Sequence, residues 1–318
     1  MAEKLIITCA LTGGITIPTM SEHLPLTPQH LVQDAIQCCD AGAAAVHIHA
    51  RDPVDGRPSS DPDIFERILS GIAASSNVVI GITTGGGMGM TAEERLMVIP
   101  RFRPEVASFN LGSMNFSIHP SGRRYKPEDY KYAWERAYVE GTKNFIFRNT
   151  FGDMEAFAAT FAENDVRAEF EAYDVGHLHS LRFLWETGVV KPPLWIQFVM
   201  GVLGGIAATA EGLMTMKQTA DRLFGQDGYR WSVIGVGYPA QFHMTTMAIV
   251  LGGHARVGLE DNIYVSRGRR ATNAELVEKI VRIARELDRE IATPDEAREM
   301  LGLKGAARTN FRRGQAAE

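Results

Sequence analysis

The sequence is poor in cysteine and has no long hydrophobic run. It holds 3 cysteines in 318 residues, Cys9, Cys38 and the adjacent Cys39. An odd number with this spacing argues against a disulfide framework and fits a reducing cytosol. No stretch approaches the roughly 20 apolar residues that a membrane-spanning helix needs. The first residues also lack the basic region, apolar core and cleavage site of a secretory signal. We therefore expect a soluble, cytoplasmic protein.

An excess of positive charge is also missing. The 33 Lys and Arg residues oppose 38 Asp and Glu residues, for a net charge of −5. This balance gives no sign of a nucleic-acid partner. With 45% hydrophobic and 22% charged residues, the composition is that of a globular protein and excludes disorder and fibrous repeats. The length fits two domains, or one α/β barrel of about 250 residues with additions.

Short β-branched runs alternate along the chain with longer amphipathic runs, which is typical of βα units around a parallel sheet. We predict eight strands, at Leu5–Ala10, Ala44–His49, Val78–Thr83, Val106–Asn110, Arg167–Tyr173, Leu194–Val199, Trp231–Val236 and His254–Leu259. Eight strands favour a single-domain (β/α)8 TIM barrel of the α/β class over residues 1–305. Residues 306–318 are polar and predicted to form a mobile C-terminal tail.

Capping residues predict several of the outer helices. These are Pro28–Ala41 with Thr27 as N-cap, Ala92–Ile99 after Thr91, Ala274–Leu287 capped by Asn273, and a short tail helix at Thr293–Met300. The stretch Ser117–Asn144 follows strand four as a helical insertion, with one helix expected from Pro127 to about Val139.

The second predicted strand ends in two histidines. His47 and His49 are two residues apart, so both side chains point to the same face of the strand. In a parallel barrel reactive groups cluster at the carboxyl ends of strands, which is where this pair lies. Two imidazoles on one inward face can chelate a metal. The alternative is a pair of hydrogen-bonded core histidines.

The eighth strand supplies the best third ligand. Arg256 and Glu260 share a face by the period-two rule, and Asp261 begins the next loop. Catalytic zinc usually takes three protein ligands and keeps one position open, and His₂Glu is one such set. A solvated charge cluster is the alternative, but an arginine and two acids at the end of a buried strand are hard to explain without pairing or a metal.

Glycines and small polar residues follow two other strands. Thr83-Thr84-Gly85-Gly86-Gly87 exposes backbone N–H groups that could seat a carboxylate or phosphate. The turn lacks a P-loop lysine and dinucleotide spacing, so we exclude ATP and NAD. Ser108 and Asn110 share one face of strand four and are predicted substrate contacts. For His177 and His179, at the start of a helix, we favour structural roles over metal binding.

Several segments, taken in order, resemble one family. They are Thr12-Gly13, Val46-His47-Ile48-His49-Ala50-Arg51, Thr83-Thr84-Gly85-Gly86, Asn110-Leu111-Gly112-Ser113-Met114-Asn115-Phe116, Tyr173-Asp174-Val175-Gly176, Gln197-Phe198-Val199-Met200-Gly201-Val202 and Gly252-Gly253-His254 through Glu260-Asp261-Asn262. Together they resemble the β-keto acid cleavage enzymes, zinc-dependent barrels related to 3-keto-5-aminohexanoate cleavage enzyme. The resemblance covers nearly the whole chain.

The resemblance implies an enzyme, often tetrameric, that converts a β-keto acid and acetyl-CoA into acetoacetate and a new acyl-CoA. It implies that zinc is held by His47, His49 and Glu260. Asp261 would be the base, assisted by Arg256. The keto acid would contact Thr83, Gly86 and Ser108, with the neighbouring Asn110 and Ile15 also placed in the substrate pocket.

The first loop departs from the family pattern. Members with amino substrates carry a glutamate shortly after Thr-Gly, whereas this chain has Gly13-Gly14-Ile15. An isoleucine cannot pair with an ammonium group. We therefore predict a substrate without an amino group and a distal pocket that is neutral or apolar.

Two other functions stay open at this point. A zinc-dependent aldolase or hydrolase on the same barrel would share the metal, the base and the loops, and it would not need coenzyme A. A barrel that binds metal or ligand without catalysis would retain the metal and show no turnover.

Overall fold

Eight parallel strands close into a barrel. The computed structural model describes residues 3–311. The barrel strands are β1 (Ile7–Ala10), β2 (Ala45–Ile48), β3 (Val79–Ile82), β4 (Val106–Asn110), β5 (Arg167–Ala172), β6 (Leu194–Met200), β7 (Tyr229–Gly235) and β8 (His254–Val257). Each strand pairs with its neighbours in the sequence, and β8 returns to β1 with Ile7 opposite Ala255. The predicted (β/α)8 barrel is confirmed.

Helices surround the barrel. They are α1 (Pro28–Asp40), α2 (Pro62–Ser75), α3 (Ala92–Leu96), α4 (Val98–Phe102), α5 (Ala133–Gly141), α6 (Phe151–Glu163), α7 (Val175–Glu186), α8 (Ala210–Phe224), α9 (Ala240–Val250), α10 (Asn273–Glu286) and α11 (Pro294–Leu301). Strands and helices enclose a continuous apolar core that includes Leu31, Ile68 and Phe109. Thr27 caps α1 as predicted, since its hydroxyl accepts from His30 N at 3.2 Å.

Two predicted helices have different bounds. The run expected at Ala92–Ile99 forms α3 and α4, separated at Met97, because Pro100 carries no N–H to continue the helical ladder. The cap of α10 is Thr272, whose hydroxyl accepts from Glu275 N, and not Asn273. The amide of Asn273 instead accepts from the backbone of Leu259 at 2.7 Å and donates to that of Leu11 at 2.8 Å.

The insertion does not form one continuous helix. Pro127–Asp129 is a 3-10 turn, and α5 starts only at Ala133. The break has a tertiary cause, because the Thr19 hydroxyl in the first loop accepts from Lys131 N at 2.8 Å. The buried Glu135 carboxylate accepts in turn from the backbone and hydroxyl of Thr19, at 2.8 and 2.7 Å. The insertion is therefore tied to the loop after β1.

Short antiparallel pairs support three loops at the carboxyl end of the barrel. They join Ala50–Arg51 to Pro58–Ser59 after β2, Met114–Asn115 to Ile146–Phe147 after β4, and Tyr264–Ser266 to Arg269–Arg270 after β8. The second pair clamps the base of the insertion, since its two strands flank residues 117–144.

The described part of the tail packs on the barrel. Asn310 N donates to the Phe102 carbonyl at 2.8 Å, and the Phe311 side chain is buried in the main core. Residues 306–311 therefore lie against the barrel, because one aromatic ring anchors an otherwise polar segment. Residues 312–318 of the predicted tail lie outside the described residues. No helix between residues 3 and 311 is long and apolar enough to cross a membrane.

Candidate active site

Three predicted metal ligands meet at the carboxyl end of the barrel. His47 lies on β2, His49 follows its end, and the ring centroids are 5.2 Å apart. Glu260 arrives from the loop after β8. Its carboxylate oxygens lie 3.9 Å from His47 Nε2 and 3.4 Å from His49 Nε2. One ligand atom from each residue lies within 4.8 Å of the others, so the loops bring the predicted set together.

The chemistry of this set fits a divalent metal. Glu260 Oε2 is buried without a hydrogen-bond donor, and such an oxygen is costly unless a cation or donor meets it. Burial, aided by the charge of Arg256, lowers the pKa of His47 well below its usual value. The imidazole is therefore neutral, which is the form that binds metals. Two imidazoles and one carboxylate form a known catalytic zinc set.

Gly13 makes room for Glu260, the third predicted metal ligand. Its φ is +62°, and a Cβ at this position would lie 2.3 Å from Glu260 Cγ. Any side chain here would therefore displace the Glu260 carboxylate. The absence of a side chain at Gly13 therefore lets the loop after β1 approach Glu260 closely.

Arg256 joins the ligand set to the predicted base. Its Nη2 lies 2.7 Å from Glu260 Oε1, while its Nε and Nη2 donate to Asp261 at 3.0 and 3.2 Å. Burial raises the pKa of Asp261 to about 6 although Arg256 opposes the rise. For Glu260 burial also favours protonation, but Arg256 and the two histidines outweigh it and hold the pKa well below its usual range. Arg256 lowers the pKa of Asp261, as expected, but burial is the larger effect.

Buried polar side chains inside the barrel hold Arg256 in place. Its Nη1 donates to Gln197 Oε1 at 3.2 Å and lies 3.6 Å from Glu171 Oε1. Burial raises the pKa of Glu171 to about 8. The Tyr173 hydroxyl lies 3.1 Å from the Glu171 carboxyl group. Glu171 was not among the predicted site residues, although acids alternate with apolar residues through Ala168-Glu169-Phe170-Glu171-Ala172, a period-two pattern that predicts inward-facing carboxylates.

These groups form one wall of a small chamber with a cavity volume of about 80 Å³. Of the predicted substrate contacts, Ile15, Thr83 and Gly86 line it. The remaining lining is mostly apolar and includes Phe116, Phe145, Phe147, Val199, Val202, Ile234 and Val236. The chamber thus combines charged groups around His47, His49 and Glu260 with an otherwise largely apolar surface.

Ser108 and Asn110 lie behind the chamber wall and do not line it. The Ser108 hydroxyl accepts from Thr84 N at 3.0 Å, and its carbonyl accepts from the Thr84 hydroxyl at 2.6 Å. Asn110 Oδ1 accepts from the Tyr173 hydroxyl at 3.1 Å. In this arrangement both residues support groups that do line the chamber, Tyr173 and the turn after Thr83.

The glycine turn after β3 uses most of its N–H groups within the protein. Gly85 N donates to the Thr83 hydroxyl at 2.9 Å, Gly87 N to the Met90 sulfur at 3.0 Å, and Met88 N to the Tyr138 hydroxyl at 3.2 Å. Among residues 3–311, Gly86 N has no such partner. The predicted seat for an anion therefore reduces to one backbone donor.

The insertion covers the chamber. Tyr138 on α5 donates to the Gly14 carbonyl at 2.7 Å while it accepts from Met88 N, so one hydroxyl joins two glycine loops. Thr142 and Phe145 from the same segment line the chamber. The insertion was predicted from the sequence, but its position as a lid over the chamber was not.

Arg51 fixes the loop after β1 from below. It is fully buried and donates to five oxygens, three of which are the carbonyls of Thr12, Gly13 and Thr16 at 2.9, 2.7 and 2.6 Å. The other two are the Thr12 hydroxyl and the Gly56 carbonyl. The backbone that carries Ile15 is therefore held by a side chain from the neighbouring strand.

Fold and site together define a class of protein: a (β/α)8 barrel enzyme with a His₂Glu ligand set and an arginine-paired aspartate at the carboxyl ends of its strands. A model of the beta-keto acid cleavage enzymes matches residues 4–303. The chain belongs to this family.

The chain aligns with known relatives over almost its full length. It is 47% identical over 310 residues to the 3,5-dioxohexanoate:acetyl-CoA acetone transferase of Paraburkholderia graminis, covering 97% of this chain and 99% of that protein. It is 36% identical over 307 residues to the 3-keto-5-aminohexanoate cleavage enzyme of Fusobacterium nucleatum, covering 96% and 100%. Among solved structures, apo ObcA superposes with a TM-score of 0.69 at 19% identity, over 89% of this chain and 66% of that longer chain, which shows a shared fold.

Proposed function

We propose that this protein is a zinc-dependent acyltransferase that acts on a 3-oxo acid without an amino group and on acetyl-CoA. The observation that carries the proposal is the chamber, whose lining combines the His47, His49 and Glu260 set and Asp261 with mostly apolar side chains. The relative at 47% identity is named for 3,5-dioxohexanoate, a keto acid without an amino group, and for acetyl-CoA. The reaction joins R–CO–CH₂–COO⁻ and acetyl-S-CoA to give acetoacetate and R–CO–S-CoA.

Zinc would be held by His47, His49 and Glu260, and as a Lewis acid it would favour loss of a proton from C2 of the keto acid. Asp261 takes that proton, and Arg256 orients its carboxylate through two hydrogen bonds. The C2 carbanion then forms a bond to the acetyl carbonyl carbon, and the CoA thiolate leaves. The thiolate attacks the original keto carbon, the C2–C3 bond breaks, and acetoacetate departs with a proton returned to C2.

Other residues bind and shield the acid. Gly86 N is the free backbone donor for its carboxylate, and Thr83 lies beside it in the chamber wall. Tyr138 holds the lid over the reacting atoms, so that water does not compete with the thiolate. Ser108 and Asn110 act in this proposal as supports for the substrate contacts.

The substrate side chain would lie against apolar surface. Ile15 lies in the first loop, and Phe116, Phe145 and Phe147 contribute apolar lining. The acids that line the chamber, Glu171, Glu260 and Asp261, all face Arg256, so a buried ammonium group would have no free counter-ion among the described residues and would cost several kcal/mol. We therefore propose 3,5-dioxohexanoate, or a 3-oxo acid of similar size and polarity, as the substrate; the dioxo acid would yield acetoacetate and acetoacetyl-CoA.

An isotope experiment tests this function. The zinc-loaded protein is incubated with 3,5-dioxohexanoate and acetyl-CoA labelled with ¹³C in its acetyl group. The label should appear in free acetoacetate and not in acetoacetyl-CoA. Acetoacetate release without acetyl-CoA would support a hydrolase or aldolase instead. Absence of turnover across a panel of 3-oxo acids, with zinc bound, would support a barrel that only binds ligands.

The requirement for zinc and the absence of an amino group in the substrate are tested by separate experiments. Complete chelation of zinc should stop turnover, and added zinc should restore it. Faster turnover of 3-keto-5-aminohexanoate than of unsubstituted 3-oxo acids would contradict the neutral-substrate proposal. The homotetramer, expected from the resemblance, and the cytoplasmic location remain predictions, and light scattering tests the first of them.

A further inference from the structure

A second, larger cavity opens directly beside the reaction chamber. Its volume is about 580 Å³, against about 80 Å³ for the chamber. Both cavities are lined by Ile15, Val236, Glu260 and Asp261. A molecule seated in the outer cavity therefore reaches Asp261 with one end. The two volumes suit a large co-substrate outside and a small acid inside.

Two arginines line the outer cavity and have no ionic partner. Arg124 ends the 3-10 helix His119–Arg124 of the insertion, and Arg267 lies at the turn of the hairpin after β8. Both are exposed, and within residues 3–311 neither makes an ion pair or hydrogen bond. The nearby Arg269, by contrast, is paired with Glu275 at 2.6 Å.

The outer part of this cavity is positively charged, unlike the molecule as a whole. The protein carries a net charge of −5, yet the only acids lining the outer cavity are Glu260 and Asp261 at its inner end, where Arg256 already pairs with both. Two unpaired guanidinium groups on separate segments attract an anion that spans them. Guanidinium groups bind phosphate by paired hydrogen bonds, which makes a phosphate the best match.

Aromatic rings complete the cavity. Tyr238, which is 39% exposed, and Tyr264 both line it. The Arg270 guanidinium lies 4.6 Å from the Tyr264 ring centroid, and Asn262 Nδ2 donates to the Tyr264 carbonyl at 2.7 Å, so this residue is held in place from two sides. Such rings are surfaces on which a purine base stacks.

We infer that the outer cavity binds the nucleotide half of acetyl-CoA. Arg124 and Arg267 bind its phosphates, the aromatic residues contact its base, and the pantetheine arm carries the thioester inward to Asp261. This inference rests on the proposed function for the identity of the co-substrate. The inference adds a binding site for the nucleotide, which is the portion of acetyl-CoA that does not react.

Steady-state kinetics with two thioesters test the site. The substrates are acetyl-CoA and S-acetylpantetheine, which has the thioester and the arm but lacks the nucleotide. The variants are Arg124→Ala, Arg267→Ala and the control Arg123→Ala, an exposed neighbour that does not line the cavity. Each of the first two should raise KM for acetyl-CoA about tenfold, as expected for the loss of one charge-assisted phosphate contact. The control should match the unmodified protein.

The ratio of kcat/KM for acetyl-CoA to that for S-acetylpantetheine isolates the contribution of the nucleotide to binding. It should fall about tenfold in each cavity variant, with no change in KM for the keto acid. An unchanged ratio in both variants, or a rise confined to KM for the keto acid, would overturn the inference. If the protein shows no acetyl-CoA-dependent turnover, the proposed function fails. In that case, calorimetric titration with free CoA tests the binding site by itself. Equal affinity of the unmodified protein and of all three variants for CoA would contradict the inference.

Discussion

Gly13 allows a sharp test of the metal site, because one methyl group there should weaken metal binding without altering any ligand. In Gly13→Ala the new Cβ would lie 2.3 Å from Glu260 Cγ, where ordinary contacts begin at 3.4 Å. The carboxylate must therefore move by about 1.1 Å. Metal sites tolerate changes of about 0.2 Å in ligand distance. We expect zinc affinity to fall at least the tenfold to hundredfold that follows when groups around a ligand are disturbed.

Backbone strain contributes to this substitution and needs its own control. Gly13 has φ of +62°, a conformation that costs an alanine about 1–2 kcal/mol. Gly89 has φ of +92° and nothing within 4 Å of a Cβ. Gly89→Ala should therefore lose similar stability and keep its zinc. Thermal denaturation measures the first quantity, and competition with a chromophoric chelator measures the second.

If Gly13→Ala folds and binds zinc as tightly as the unmodified protein, then Glu260 is not a ligand in the position seen here. Equal loss of zinc by Gly89→Ala would show that strain, and not the contact with Glu260, is responsible.

Three other substitutions test the remaining parts of the site. Asp261→Asn should abolish turnover and exchange of the C2 proton while zinc stays bound; retained exchange, followed by NMR in D₂O, would exclude Asp261 as the base. Burial raises the pKa of Glu171 from 4.5 to about 8, so the folded protein keeps a proton that the unfolded chain releases. Stability of the zinc-free protein should therefore fall as pH rises from 4.5 to 8, and Glu171→Gln should flatten that fall in a series of melting curves. Tyr138→Phe removes the bond to Gly14, and KM for the keto acid should rise about fivefold, equivalent to roughly 1 kcal/mol; Tyr130→Phe is its control, and equal KM values would argue against the lid.

Local pattern was enough to predict the barrel. The strand Val106–Asn110 has the predicted bounds, and the other strand ends differ by at most two residues. A short β-branched run between turn residues marks a buried strand whatever surrounds it. The ligand set was predictable for a similar reason, since His47 and His49 share a strand face and Glu260 follows the last strand.

Contacts between distant segments were not predictable. The break in the insertion depends on Thr19, which meets Lys131 only after folding. The lid depends on Tyr138 and Gly14, which are 124 residues apart in the sequence. Nothing in either local sequence specifies these pairs. Glu171 differs from them, because its alternating strand contained a signal that we did not use.

The five hydrogen bonds of Arg51 have a consequence for how such an enzyme can change its substrate. They fix the loop after β1 through backbone oxygens and the Thr12 hydroxyl, so they do not depend on which side chain stands at position 15. Position 15 can then vary while Gly13, two residues earlier, keeps its place against Glu260. Under the proposed function, a substitution at this one position can change the substrate preference of the barrel and leave Glu260 and Asp261 in place.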